Sequence, residues 1–127
     1  MLHDWDARRE AAWAASDPGQ LRRLYTPGAS AGRADLRLLR AYALRGFVVR
    51  RLETQVFAVR VLRVTPRRII LRVFDRVAGG EVASEGKGRP LASTRPALRD
   101  VTFQRLGEDW VVSEVSARGP GPRGSRR

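Results

Sequence analysis

Apolar positions recur every three to four residues through the first third of the chain and every second residue after it, so the sequence reads as helices followed by strands. From Leu2 to about Ser16, the residues Leu2, Trp5, Arg9, Ala12, Trp13 and Ser16 fall on one side of a helix, the spacing of a core-facing stripe. Asp17 stands at an N-cap position, Pro18 suits the first helical position, and Gln20 occupies the capping-box site. A short second helix is therefore predicted over about 18–25, packing through Leu21, Leu24 and Tyr25. The segment 26–32, TPGASAG, reads as a loop. A third helix is predicted over about 33–45, with Leu36, Leu39, Tyr42 and Ala43 on one face and Gly46 as its stop signal.

After Gly46 the period is two. Residues 47–64 are β-rich, and their later half places Phe57, Val59 and Val61 on one side against Val56, Ala58, Arg60 and Leu62 on the other. Pro66 and Arg67 mark a turn into a partner strand over 68–77, which must run antiparallel because the connection is so short. Residues 79–95 are rich in glycine and polar side chains and predict a protruding hairpin or loop. Strands over 99–106 and 110–117, joined at Gly107-Glu108-Asp109, complete the sheet. The fold class that follows is α+β, with the N-terminal helices packed on the concave face of a curved antiparallel sheet.

This layout resembles the nuclear transport factor 2-like superfamily, the cone-shaped α+β fold that includes ketosteroid isomerases and polyketide cyclases. The residues that carry the resemblance are AAWAASDPGQLRRLY, a tryptophan-bearing helix leading through an Asp-Pro cap into a short second helix, and the closing strand EDWVVSEV. It covers about residues 2–117, with the strands usual between the second and third helices reduced to the 26–32 loop. The resemblance implies a single cone domain over 1–117, a concave apolar cavity bordered by aromatic side chains, and a homodimer formed through the outer sheet face, here around Ile70 and Phe74. Fold alone does not fix activity.

Composition narrows the chemistry. The chain has 127 residues, enough for one modest core, with no cysteine and a single histidine, His3, at the N-terminal end. Disulfide frameworks, thiol nucleophiles, zinc clusters and Ser-His-Asp triads are excluded, and neither a metal nor a cofactor is expected. The net charge of +12 invites a polyanion reading. Of the 25 basic residues only Lys87 is lysine, however, and the chain is rich in Ala, Gly, Val and Pro, so codon composition explains much of the arginine content. Arg118, Arg123, Arg126 and Arg127 lie in RGPGPRGSRR, which reads as a solvated, disordered tail over 118–127. Arginines interrupt every apolar run, so no membrane span is expected, and MLHDWDARRE is too acidic and polar for a signal sequence. A cytoplasmic location is the corresponding expectation.

Candidate site residues emerge where charge interrupts an apolar face. Arg9 sits one helical turn from both Trp5 and Trp13, and Asp75 interrupts the face formed by Ile69, Leu71, Val73 and Val77. Opposite charges on facing apolar surfaces are costly unless they meet each other or a ligand, so Arg9 and Asp75 are expected to converge inside the cone. The favoured reading is a hydrogen-bonded ion pair that fixes the helix on the sheet. The functional one is a pocket formed by Trp5, Arg9, Trp13, Tyr25, Tyr42, Asp75 and Trp110, with Arg9 gripping an anionic group and Asp75 as candidate base. An adjacent arginine lowers a carboxyl pKa, so a tight pair argues against catalysis. Ketosteroid isomerases use a tyrosine, a protonated aspartate and a separate aspartate base, and interior carboxylates are too few here for those roles. Arg60, Arg72 and Arg76 form a basic stripe on one sheet face, with little of the aromatic interleaving that stacks bases. The Glu85-Gly86-Lys87-Gly88 fragment lacks the spacing and the Ser/Thr of a phosphate loop.

The function expected from sequence is thus noncatalytic binding of a small hydrophobic ligand or a protein partner. An isomerase- or cyclase-type enzyme acting on a hydrophobic carbonyl compound is the alternative. Nonspecific nucleic-acid binding through the basic surface and tail is disfavoured.

Overall fold

A computed structural model describes residues 1–118; residues 119–127 of the expected tail lie outside the described residues. Three helices, α1 (Leu2–Ala14), α2 (Pro18–Arg22) and α3 (Ser30–Leu44), precede five strands: β1 (Val48–Val64), β2 (Arg68–Ser84), β3 (Lys87–Pro90), β4 (Ala97–Leu106) and β5 (Asp109–Ala117). All strand pairs are antiparallel, in the order β1-β2-β4-β5, with β3 on the far end of β2. The segment 79–95 is therefore partly sheet: β2 runs on to Ser84 and turns at Glu85-Gly86 into β3.

Local signals in the sequence form the elements they suggest. The Asp17 side chain accepts from the backbone N–H groups of Gly19 (2.9 Å) and Gln20 (3.2 Å), satisfying two of the orphan donors that open α2. Gly46, with φ +74°, follows α3 in the left-handed conformation expected of a helix stop. The loop after α2 keeps one remnant of sheet. Tyr25 bridges Val112 in parallel, with Thr26 N–H donating to Val112 O and Val112 N–H to Leu24 O, both at 2.9 Å.

The β1/β2 ribbon slips register four times, between Arg50 and Glu53, Glu53 and Thr54, Val56 and Ala58, and Val61 and Arg63. Each slip bends the ribbon, which is how two 17-residue strands curl around the helices. The slip at Phe57 also corrects the alternation read from sequence. Val56 lies opposite Asp75 on the concave face and Ala58 opposite Phe74 on the outer one, and the Phe57 ring meets Phe74 at 5.5 Å. Phe57 therefore leaves the side assigned to Val59 and Val61, because an unpaired residue resets a period of two.

α1 packs against β1, and α3 against β5, on the concave side. Trp5 fills the middle of the cone, its ring edge-on to Tyr25 (5.5 Å) and Phe103 (6.2 Å), and its indole N–H donates to Leu24 O at 2.9 Å. Around it Leu21, Leu24, Leu39, Val73, Val101 and Val112 are fully buried. Arg118 N–H donates to Leu98 O at 2.8 Å, continuing the pairing just past β5. No described helix is long and apolar enough to cross a membrane.

Candidate functional site

The two interior charges nominated from sequence do not meet each other. Arg9 reaches α3, where its Nε and Nη2 donate to the two oxygens of Asp35 at 2.7 and 2.8 Å. Asp75 pairs with Arg99, its diagonal neighbour on β4, at 2.7 and 3.1 Å. The expected Arg9–Asp75 contact is thus replaced by two pairs, because each charge finds a nearer partner on the element beside it. Both partners carried a sequence signal. Asp35 lies one turn before Leu39 and two before Tyr42, and Arg99 alternates with Val101 and Phe103 on the concave side of β4.

Asp35 is the most completely bonded carboxylate of the interior. Besides Arg9 it accepts from the Tyr25 hydroxyl (2.7 Å) and the Trp13 indole N–H (3.2 Å). Burial raises its pKa, but the hydrogen bonds and charge of Arg9, joined by Tyr25 and Trp13, outweigh burial and hold the carboxyl below its ordinary value. Burial works against the charge on Arg9, and Asp35 more than restores it. The Tyr25 hydroxyl is pushed up, first by burial and then by the Asp35 charge beside it. This network ties α1, the 25–29 segment and α3 together.

A cleft of about 670 Å³ opens between α1 and α3 on one side and the concave face of β2, β4 and β5 on the other. Trp5, Arg9, Tyr25 and Asp75 line it, with Leu38, Val77, Ala97 and Val115 as apolar wall. The other nominated aromatics lie elsewhere. Trp13 is 4% exposed in the core, Tyr42 stacks edge-on against Trp13 (5.7 Å) and Phe47 (6.2 Å), and Trp110 packs partly buried at the far end of β5. Their spacing matched the cleft face, but their rings fill the layer between the helices and the sheet. A hollow of equal volume under the Glu85-Gly86 turn is walled by exposed Glu85, Lys87 and Arg89 and contains no buried titratable group.

Asp6 is the residue that sequence reasoning missed. It is 9% exposed, lines the cleft beside Asp75 and Arg99, and takes part in no ion pair or side-chain hydrogen bond among the described residues. Burial pushes its carboxyl up to about 6; Arg99 and Arg9 oppose the rise, and Asp75 and Glu10 add to it. Its helical position, one turn after Leu2 and two before Trp13, was the available signal.

Arg60, Arg72 and Arg76 share the outer sheet face, as their parity requires, with Arg60 opposite Arg72 in register. Two of them are engaged locally. Arg72 holds Asp100 with two bonds at 2.9 and 3.2 Å, while Arg76 donates to Gln55 at 2.9 Å and lies 6.0 Å over the Phe57 ring.

No family model and no curated protein matches the chain by sequence. Solved structures do match along nearly its whole length. Aln2 from a Streptomyces species superposes with a TM-score of 0.59 at 14% identity, covering 93% of this chain and 87% of that one. A nuclear transport factor 2-like protein of unknown function in nutrient uptake from Rhodospirillum rubrum gives 0.56 at 12% identity, over 94% and 98%. The chain has the nuclear transport factor 2-like fold. A hexachlorocyclohexane dehydrochlorinase, LinA type 2, shares this fold with a TM-score of 0.55 at 10% identity, over 94% of this chain and 83% of that one. At such identities the nuclear transport factor 2-like likeness concerns the fold alone.

Proposed function

We propose that this nuclear transport factor 2-like domain binds a small molecule in the α1–α3 cleft, one that is apolar over most of its surface and carries a polar group. The observation that carries this reading is the unpaired Asp6 carboxyl, buried beside the Asp75–Arg99 pair and open to a cleft of about 670 Å³. A carboxyl in that setting lacks the hydrogen bonds that water would supply, and a ligand donor restores one. Trp5 lines the cleft and reports on it by fluorescence. Titration with apolar carbonyl compounds should shift tryptophan emission and raise the thermal midpoint, and Ala34→Phe, which fills the cleft from an exposed position of α3, should remove both effects. A compound set that leaves emission and midpoint unchanged would overturn the reading.

A second reading is proton transfer on a hydrophobic carbonyl compound, with Asp6 rather than Asp75 as the base. Its support is the unpaired Asp6 with a raised carboxyl pKa, whereas Asp75 is held by Arg99. Turnover lost in Asp6→Asn with binding retained is the result expected of an enzyme. For the oligomer, the Phe57 ring, 47% exposed beside Phe74 on the outer face, supports a homodimer there, which light scattering of the chain tests directly. Nucleic acid is the less favoured partner, because Arg72 and Arg76 already have partners.

A further inference from the structure

Asp6 also borders a second, half-open hollow of about 460 Å³ between α1 and the middle of β1. In a chain with 25 basic and 13 acidic residues, the lining of this pocket contains three carboxylates, Asp6, Glu10 and Glu53, with His3 beside them and no lysine or arginine. Asp6 and Glu10 are one turn apart and share a helix face, and Glu53 comes from the strand below them. The remaining wall includes Leu2, Val56 and Val59; the two valines are 39% and 48% exposed.

Burial disfavours charge on Asp6 and on Glu10, and like charges add to it in turn, Glu10 acting on Asp6 and Glu53 on Glu10. The cost is greatest for Asp6, which is nine-tenths buried and has no bonded partner among the described residues. A ligand that relieves this cost carries positive charge and N–H donors, and the exposed valines call for hydrocarbon attached to it. Among the described residues, no three acidic or histidine side chains converge to coordinate a metal ion, so the three carboxylates are spread along the pocket wall rather than closed around one point.

We propose that the α1–β1 pocket binds a small organic ammonium ion, its charge at Asp6 and Glu10 in the field of Glu53 and its apolar body against Leu2, Val56 and Val59. The site shares Asp6 and Thr54 with the α1–α3 cleft, while Leu2, Glu10, Glu53, Val56 and Val59 belong to the α1–β1 side alone.

Protonation gives the proposal a signature. The groups that act on Asp6 and Glu10 are His3 and Arg9 on α1, Glu53 on β1, Asp75 on β2 and Arg99 on β4. Burial and the neighbouring carboxylates raise both acids, while Arg99, Arg9 and His3 oppose them. An aliphatic ammonium stays charged well above neutrality. Its affinity therefore rises with pH as Asp6 loses its proton, and binding near pH 6 releases protons.

Calorimetric titration of the full chain with n-hexylammonium, against n-hexanol and hexanoate, tests this. Saturable binding of the ammonium at pH 7.5 is expected, weakened about tenfold at pH 5, with hexanol at least about tenfold weaker and hexanoate silent. Glu53→Gln, at an exposed strand position, and the near-isosteric Asp6→Asn should each lower affinity about tenfold. Ala34→Phe, which blocks the cleft, should leave it unchanged. Equal binding of hexanol and hexylammonium, absence of saturation at millimolar ligand, or full affinity in a folded Glu53→Gln protein would each overturn the proposal. Loss of ammonium binding in Ala34→Phe alone would place the cation in the cleft and also overturn it, without touching the cleft reading.

Discussion

The guanidinium of Arg9 and the carboxylate of Asp35 meet as a doubly bonded pair between α1 and α3, Nε to Oδ2 at 2.7 Å and Nη2 to Oδ1 at 2.8 Å. The Asp35 side chain is only 6% exposed, so removing the arginine leaves a buried charge with two neutral donors, Tyr25 and Trp13. Arg9→Met is expected to lower unfolding free energy by about 3 kcal/mol in urea titrations. Replacing both residues, as Arg9→Met with Asp35→Leu, should recover part of that loss, because the uncompensated charge is then gone. A double variant no more stable than Arg9→Met would show that Asp35 is not the group left uncompensated.

Gly32 decides whether α3 can approach Tyr25. A Cβ at this position would lie 2.8 Å from the Tyr25 Cγ and 2.9 Å from its Cβ. Tyr25 has little room to yield, since its hydroxyl donates to Asp35 and its backbone bridges Val112. Alanine would raise helix propensity by about 1 kcal/mol, but forced repacking costs more, roughly 1–3 kcal/mol. Gly32→Ala should therefore destabilise, by about 1 kcal/mol net, where an unobstructed helical glycine would show a gain. Thermal unfolding of the single variant separates the two signs.

The Asp17 cap gives a smaller and more local effect. Its two bonds to Gly19 and Gln20 N–H open the five-residue α2, which is too short to hold itself by propensity. Asp17→Ala should cost about 1 kcal/mol, and Asp17→Ser should recover most of it. Hydrogen exchange at Gly19 and Gln20 should quicken in the alanine variant before exchange in the β4 core does.

Asp17, Pro18 and Gly46 were legible in the sequence because capping and helix-stop chemistry are local, decided within a few residues. The helix-then-sheet order was legible because each period is sustained over many positions. Asp75 was correctly read as interrupting a buried face, yet its partner was not, because residue spacing within one element says nothing about which neighbouring charge lies nearest. Arg99 required the β2/β4 register, and Asp35 required the crossing of α1 over α3. Phe57 was placed on the wrong face because a bulge carries no strong mark in a run of valines. Asp6 was overlooked because an aspartate on an amphipathic helix reads as solvent-facing by default, and only the enclosing β1, β2 and β4 surfaces show that water is largely excluded from it.

Asp6 should make the protein's stability fall as pH rises through 6. Its folded value of about 6 lies above the ordinary 3.8, so the folded state holds the proton more tightly than the unfolded chain does. The resulting contribution is complete below about pH 4 and vanishes as the folded-state carboxyl ionises. Asp35 has the opposite sign: held below its ordinary value, it stabilises above about pH 4 and loses that contribution on acidification. The window between pH 5 and 7.5 therefore belongs to Asp6. Across it the wild type should lose on the order of 1 kcal/mol, read from urea midpoints. In Asp6→Asn, which cannot ionise there, that slope should disappear, and the variant should be at least as stable as wild type at pH 7.5. A slope that persists in Asp6→Asn would assign the titration to another group, with Glu10, also raised by burial, the next to replace.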